Sequence, residues 1–251
     1  MTPRSGRFDY SETDLRVESP GVPFEFTRYH NTQTHLPGPL GFQWGHSYHW
    51  PLRVLPSGDV EITGPLLIPM VFVKQSNGTF VPTTSAREFE LTTAPDGLFH
   101  LKRDKLTYDF NQGGLLSTIR GPDNLGLSLS YEPITTDALW GVLLKKVTDS
   151  VGRTYTLSWT AVSEAQLALA LLPPGNYHQL DKLTQDATGR TFTFDHGPPE
   201  TSALTLYAVH DSAYPPAQFM SYGYWGSYRS QRSAGTLRNS SLCVCRAGSS
   251  R

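Results

Sequence analysis

The chain has 251 residues, 12% of them aromatic and 38% apolar, and 21 basic against 22 acidic residues leave a formal net charge of −1. That length supports one large domain or two smaller ones, and the near-neutral balance excludes a strongly basic nucleic-acid binder. Thr, Tyr, Phe, Gly and Pro are prominent, as many short strands and tight turns require, so all-β is the expected class.

Residues 1–19 are polar and lack the apolar core of a secretory signal. The longest apolar stretch, 66–73, contains Pro69 and falls far short of the roughly 20 residues a membrane helix needs. Neither Sec export nor a membrane span is expected. In residues 22–31, Phe24, Phe26 and Arg28 fall on one face of a strand, with Glu25, Thr27 and Tyr29 on the other. Pro37-Gly-Pro39 breaks that strand. Gly41 and Gly45 then bracket an aromatic cluster of Phe42, Trp44, Tyr48 and Trp50, which reads as a packing plug.

Residues 52–110 read as short strands at 52–55, 60–63, 70–74, 79–82, 89–92, 99–102 and 106–110. Turns of the type Pro-Ser-Gly-Asp, Ser-Asn-Gly and Pro-Asp-Gly join them in a β-meander. From there a degenerate repeat takes over, with Asp and Gly three residues apart at Asp123/Gly126, Asp149/Gly152 and Asp186/Gly189, and a worn copy at Asp211. Each Asp is expected to open its turn by bonding its own backbone, and each Gly to take the left-handed position. Retaining glycosidases need two carboxyls about 5 Å apart and calcium needs six or more oxygens, so one Asp per unit argues against either role. Arg153 and Arg190 follow the repeat Gly at equal positions, placed to pair with the Asp of a neighbouring turn.

Segment 163–172 carries a Ser cap and helix formers, yet Leu167, Leu169 and Leu171 alternate; the surrounding strands favour a strand. Residues 221–251 hold five Arg and no Lys, Asp or Glu, leaving 16 basic against 22 acidic residues in the body. With few apolar anchors after Tyr224, residues 225–251 are expected to be an unstructured tail. Cys243 and Cys245 stand too close for a mutual disulfide and too few for zinc.

His30, His35, His46 and His49 raise the question of a metal site. On a strand, His46 and His49 point to opposite faces, and no Asp, Glu or Cys lies between residues 26 and 58, so ordinary turn and strand-end histidines are expected, with no metal or cofactor. Tyr155, Trp159 and Phe192 could stack on a saccharide, but core packing is favoured. No Gly-x-Ser-x-Gly elbow, phosphate loop or His-Glu-x-x-His string occurs, and no enzyme is expected.

Two regions resemble the Rhs/YD-repeat family, the large shell proteins of bacterial polymorphic toxins and, in animals, the teneurins. Asp14–Asn31 with Gly38–Tyr48 is similar to the family's N-terminal entry segment. Tyr108-Asp109…Gly114…Leu116 and the Asp-x-x-Gly-Arg-Thr units are similar to its repeats, so the likeness spans residues 14–224. It implies antiparallel strand-turn repeats wound into a spiral β-sheet, a non-enzymatic shell around a C-terminal toxin released by self-cleavage. The chain is accordingly read as four regions: a polar segment 1–19, an entry β domain 20–100, repeats 101–224 and the tail 225–251. The implied partners are the missing C-terminal shell and toxin segments, and the implied location follows export by a dedicated secretion system or display at the cell surface. With three or four units, no Asp-Pro self-cleavage motif and no toxin region, the expectation is an open, incomplete shell whose last strand edge is prone to self-association. Tyr222-Gly-Tyr224-Trp225 stands where the family has Tyr-x-Tyr-Asp, which suggests a shifted frame or truncation beyond it. A surface module that binds glycans or a protein is the alternative.

Overall fold

The structure is a computed structural model that describes residues 9–34, 36–83, 86–134, 142–197, 204–216, 218–225 and 241–247, with backbone alone at 223–225 and 241–247. It is a mostly antiparallel β protein of open sheets, with 54% of residues in strands. The entry region comprises β1 (Asp9–Val17), β2 (Phe24–Asn31), β3 (Pro37–Gly38), β4 (Gly41–Phe42) and β5 (Trp44–His46). β1, β2 and β5 form a three-stranded sheet, and β3 pairs with β4. The polar segment set apart at residues 1–19 is therefore, from Asp9 onward, an integral strand. Its polar residues find cross-strand partners, Thr13 Oγ1 meeting Thr27 Oγ1 at 2.8 Å and Asp14 meeting Arg28.

A four-stranded meander follows, β6 (Leu52–Val54), β7 (Val60–Thr63), β8 (Pro69–Lys74) and β9 (Phe80–Pro82). Then comes a 12-stranded sheet in sequential order: β10 (Glu90–Thr93), β11 (Phe99–Arg103), β12 (Leu106–Phe110), β13 (Leu116–Arg120), β14 (Gly126–Pro133), β15 (Val142–Thr148), β16 (Thr154–Ala161), β17 (His178–Gln185), β18 (Arg190–His196), β19 (Leu206–Asp211), β20 (Phe219–Trp225) and β21 (Ser241–Ala247). The strands expected over 52–110 all form, within a residue or two. The long sheet starts at Glu90, though, so the boundary drawn at residue 100 cuts through it.

One turn recurs more often than the Asp-to-Gly spacing suggests. Five-residue loops starting at Leu55, Gly64, Gln75, Ala94, Asn111, Gly121 and Asp149 share one pattern. The first N–H donates to the fifth carbonyl, and the fourth N–H donates to the first. The fourth residue is left-handed in each: Gly58, Leu67, Gly78, Gly97, Gly114, Asn124 and Gly152. This type I turn with a bulged αL residue is a favoured three-residue hairpin loop, and its geometry, not any one residue type, is what repeats.

That frame corrects two of the three motif copies. Asp149 and Gly152 behave as expected, Asp149 Oδ1 accepting from Val151 N and Arg153 N at 3.1 and 2.9 Å. At the first copy the turn starts at Gly121 and Asn124 (φ 61°) takes the left-handed place. Asp123 still bonds Leu125 N, but Gly126 lies in β14, where an added Cβ would meet Ile119 O at 1.9 Å. At the third copy Gly189 is left-handed (φ 71°), yet Gln185 closes the turn. Asp186 reaches instead to the Thr154 and Thr156 hydroxyls of β16. Asp211 opens its turn by accepting from Ala213 N at 3.0 Å.

Two glycines separate backbone strain from close approach. Gly152 (φ 84°) has nothing within 4 Å of an added Cβ, whereas at Gly114 (φ 73°) that atom would meet Leu52 O at 2.1 Å. Gly152→Ala is expected to cost about 1–2 kcal/mol, the left-handed penalty alone. Gly114→Ala is expected to cost clearly more, since two backbones must part. Urea midpoints at unchanged slope measure both.

Segment 164–169 is a helix, α1 (Glu164–Leu169), not the strand its neighbours favoured. Ser163 Oγ accepts from Gln166 N while Gln166 Oε1 accepts from Ser163 N, a complete capping box, and the segment sits outside the ladder because β16 and β17 pair directly. Only Leu167 of its residues is buried. The tail expectation also needs correction: Ser241–Ala247 pairs along the whole of β20. The open edge of β20 offers a row of unpaired N–H and C=O groups, and a short run with Leu, Cys and Val can satisfy them despite having few apolar anchors. Residues 226–240 and 248–251 of the expected tail lie outside the described residues, as does His35. Among the described residues no helix is long and apolar enough to cross a membrane.

The long sheet bends round the entry sheet. Trp50 meets Tyr108 of β12 (ring centroids 4.9 Å), Phe24 stacks on Tyr155 of β16 (3.5 Å, 6°), Phe26 meets Phe194 of β18 (5.7 Å) and Trp44 meets Tyr222 of β20 (5.0 Å). All of these side chains belong to one continuous buried cluster. Fully burying a large apolar side chain contributes about 1.5–3 kcal/mol, so neither part keeps its core without the other.

Candidate functional site

Besides these ring contacts, a polar clamp and an apolar pocket lie where the entry region meets the long sheet. Alternation along β2 points Arg28 inward with Phe24 and Phe26, and Arg28 is fully buried. It holds Asp14 of β1 in a bidentate pair, Nε to Oδ2 at 2.6 Å and Nη2 to Oδ1 at 2.7 Å, and it donates a short hydrogen bond to the Tyr222 hydroxyl on β20. Its guanidinium also lies over the rings of Tyr222 (5.4 Å) and Trp44 (5.8 Å). Burial opposes the Arg28 charge, but the Asp14 carboxylate and Tyr222 outweigh it and hold the group protonated. Burial also pushes the Asp14 carboxyl up while Arg28 pulls it back; the two parallel hydrogen bonds favour the ionised pair. Alternation alone puts Arg28 on the right face of β2 without showing its consequence, because an Arg in an apolar row reads as an interruption until its carboxylate is located.

The pocket lies between the entry turns and strands β13 to β17, and holds about 100 Å³ accessible to water. Its walls include Trp50, Trp159, Tyr131 and Tyr177, with His46, His49 and Gln179 among them, and no charged side chain lines it among the described residues. His46 and His49 were expected on opposite faces of one strand. β5 ends at His46, and a turn closed by His49 N to His46 O (2.9 Å) brings the rings to 6.1 Å. Burial holds the His46 imidazole well below its usual range, with His49 adding to the effect, and burial lowers His49 to about 4. Both are neutral at physiological pH. No group of three metal-ligating side chains occurs among the described residues.

His30 is fully buried beside Trp44 and is likewise lowered to about 4 by burial. These histidines make the fold acid-sensitive. The unfolded chain takes up protons below pH about 6.5, whereas the folded His30 and His49 imidazoles resist until about pH 4, so stability falls between those values. For His30 alone the loss is about 3 kcal/mol. Denaturant melts from pH 7 to pH 4 should show the decline, with His30→Gln flattening it.

The other residues singled out by composition and spacing settle into structural roles. Trp44, Tyr48 and Trp50 lie in the main core, while Phe42 is only partly buried and packs on a second cluster of Val162, Leu167, Tyr177 and Leu204. Arg153 pairs with Asp149 of its own turn (2.7 Å), not a neighbour's, and also donates to Glu18 O. Arg190 does reach the next unit, with Nε to Asp211 Oδ1 at 3.0 Å. Hydrogen bonds from these guanidiniums hold the Asp149 and Asp211 carboxyls below their ordinary range, against the burial that opposes it. Asp109 of the Tyr108-Asp109 pair accepts from Arg120 at 2.6 and 2.9 Å and contacts His100 at 2.5 Å. Tyr155 and Phe192 are buried, leaving only Trp159 of the three stacking candidates at a pocket.

Residues 2–72 match a domain of unknown function, DUF6531. The match spans the entry sheet and most of the first meander and stops before the long sheet. No curated protein matches the chain.

Proposed function

We propose that this chain is a non-enzymatic wall, a segment of an Rhs/YD-type β shell that scaffolds or encloses a toxin-bearing continuation, with the entry sheet as its internal plug. The supporting observation is that the buried aromatics of β16, β18 and β20 are taken up by entry-sheet side chains, and that of β12 by Trp50 in the loop after β5. The repeat carboxylates, for their part, are engaged by turn amides, arginines and threonines. The wall continues in further shell and toxin segments of a longer polypeptide, and an exposed terminal strand edge favours association with another copy.

Protease protection tests this reading. In the longer polypeptide, a segment downstream of these strands should resist digestion until the wall is disrupted by Phe26→Ala. Digestion of that segment at the same rate in both forms would contradict enclosure. Turnover in a hydrolase screen that disappears with His46→Ala would restore an enzyme, and saturable binding on a glycan array would favour the surface-module alternative. Light scattering at high micromolar concentration should show association beyond a monomer.

A further inference from the structure

Three of the pocket's aromatic walls have their polar tips engaged. Trp50 Nε1 donates to Ser47 O, Trp159 Nε1 to Leu144 O and the Tyr131 hydroxyl to Leu116 O, each at 2.8 Å. Three nitrogens are left, one of them His178 Nδ1, buried with no partner among the described residues. Gln179 is 7% exposed, and its Nε2 is buried with no acceptor among the described residues. His46, 2% exposed, accepts the Tyr48 N–H on Nδ1 at 3.2 Å, so its neutral ring carries the proton on Nε2. Buried donors are ordinarily paired, and two in one uncharged, aromatic pocket mark a place for an acceptor.

We propose that this pocket binds a peptide segment through one apolar side chain and its adjacent carbonyl. The side chain lies between Trp50 and Trp159, and the carbonyl oxygen accepts from Gln179 Nε2 and His46 Nε2. At about 100 Å³ the room falls below the roughly 150 Å³ that holds benzene, so it fits one aliphatic side chain rather than an aromatic ring or a saccharide. A sugar would also need several polar partners, and three of the aromatic tips are unavailable to it. The neutrality of His46 and His49 favours an uncharged ligand. This site does not depend on the shell reading, since it requires only the entry turns and β13 to β17.

N-acetyl-valinamide titrated into the full chain, followed by tryptophan fluorescence, should bind saturably. Gln179→Met removes an unpaired buried donor at similar volume and should fold as the parent does. It should lose about tenfold in affinity for the amide, the loss of one buried hydrogen bond, while xenon binding stays the same. Should Met not fold there, Gln179→Asn retracts the donor by one methylene and should show the same split. Absence of saturable binding, unchanged amide affinity in the variant, equal loss for xenon and amide, or preference for N-acetylglucosamine over the peptide probe would each overturn the assignment.

Discussion

Arg28→Ala is expected to destabilise the fold by about 3–5 kcal/mol, because it leaves the Asp14 carboxylate buried without its partner. Asp14 is held by Arg28 through both oxygens with a side chain only 6% exposed, so water cannot replace the guanidinium. The loss should exceed what a surface pair such as Arg53–Glu61 gives, about 0–1 kcal/mol. Replacing both partners by apolar residues, Arg28→Met with Asp14→Leu, should recover much of the stability, since a well-packed apolar pair avoids the cost of two buried charges. Urea unfolding of the single and double variants checks both statements. A double variant no better than Arg28→Ala would show that the clamp is valued for the Tyr222 contact rather than for charge neutralisation.

Phe24→Ala should cost about 3–5 kcal/mol by cavity formation, and Tyr155→Ala a similar amount. Both rings are fully buried and stack face to face across the junction of the two sheets. Burial and the nearby Asp149 carboxylate push the Tyr155 phenol up to about 12, so it remains a donor to Asp149 at 3.3 Å. Removing Tyr155 therefore also takes a partner from the Asp149 turn. The cycle through the double variant should return a coupling of about 0.5–1.5 kcal/mol for the ring pair. Independent, additive losses would mean that the entry sheet and the long sheet do not share a core.

The all-β class, the strands over 52–110 and the inward face of β2 were legible in the sequence, because period-two burial and Gly- or Pro-marked turns are local signals; the single meander expected there is instead divided between two sheets after β9. The turn frame was only partly legible. The left-handed place is filled by Leu67 and Asn124 as well as by glycine, so a pattern keyed to Gly slid by two residues at Gly126 and set Asp186 in a turn that Gln185 closes. β1 and β21 were hidden because their polar or small residues are recruited by partners distant in sequence, Asp14 by Arg28 and Ser241–Ala247 by β20. The helix lost to the strand reading although its capping box was written in Ser163 and Gln166. For the pocket, the histidine pair was visible as spacing. Its aromatic walls and Gln179 come from strands far apart in the chain, which no local pattern reports.

Native-state hydrogen exchange under mild denaturant tests the central claim most directly, by comparing the amides of Phe24–Asn31 with those of Thr154–Ala161. A plug packed inside a wall predicts that both sets open together, at the free energy of global unfolding. Exchange of the Phe24–Asn31 amides at a markedly lower free energy, with Thr154–Ala161 still protected, would contradict it.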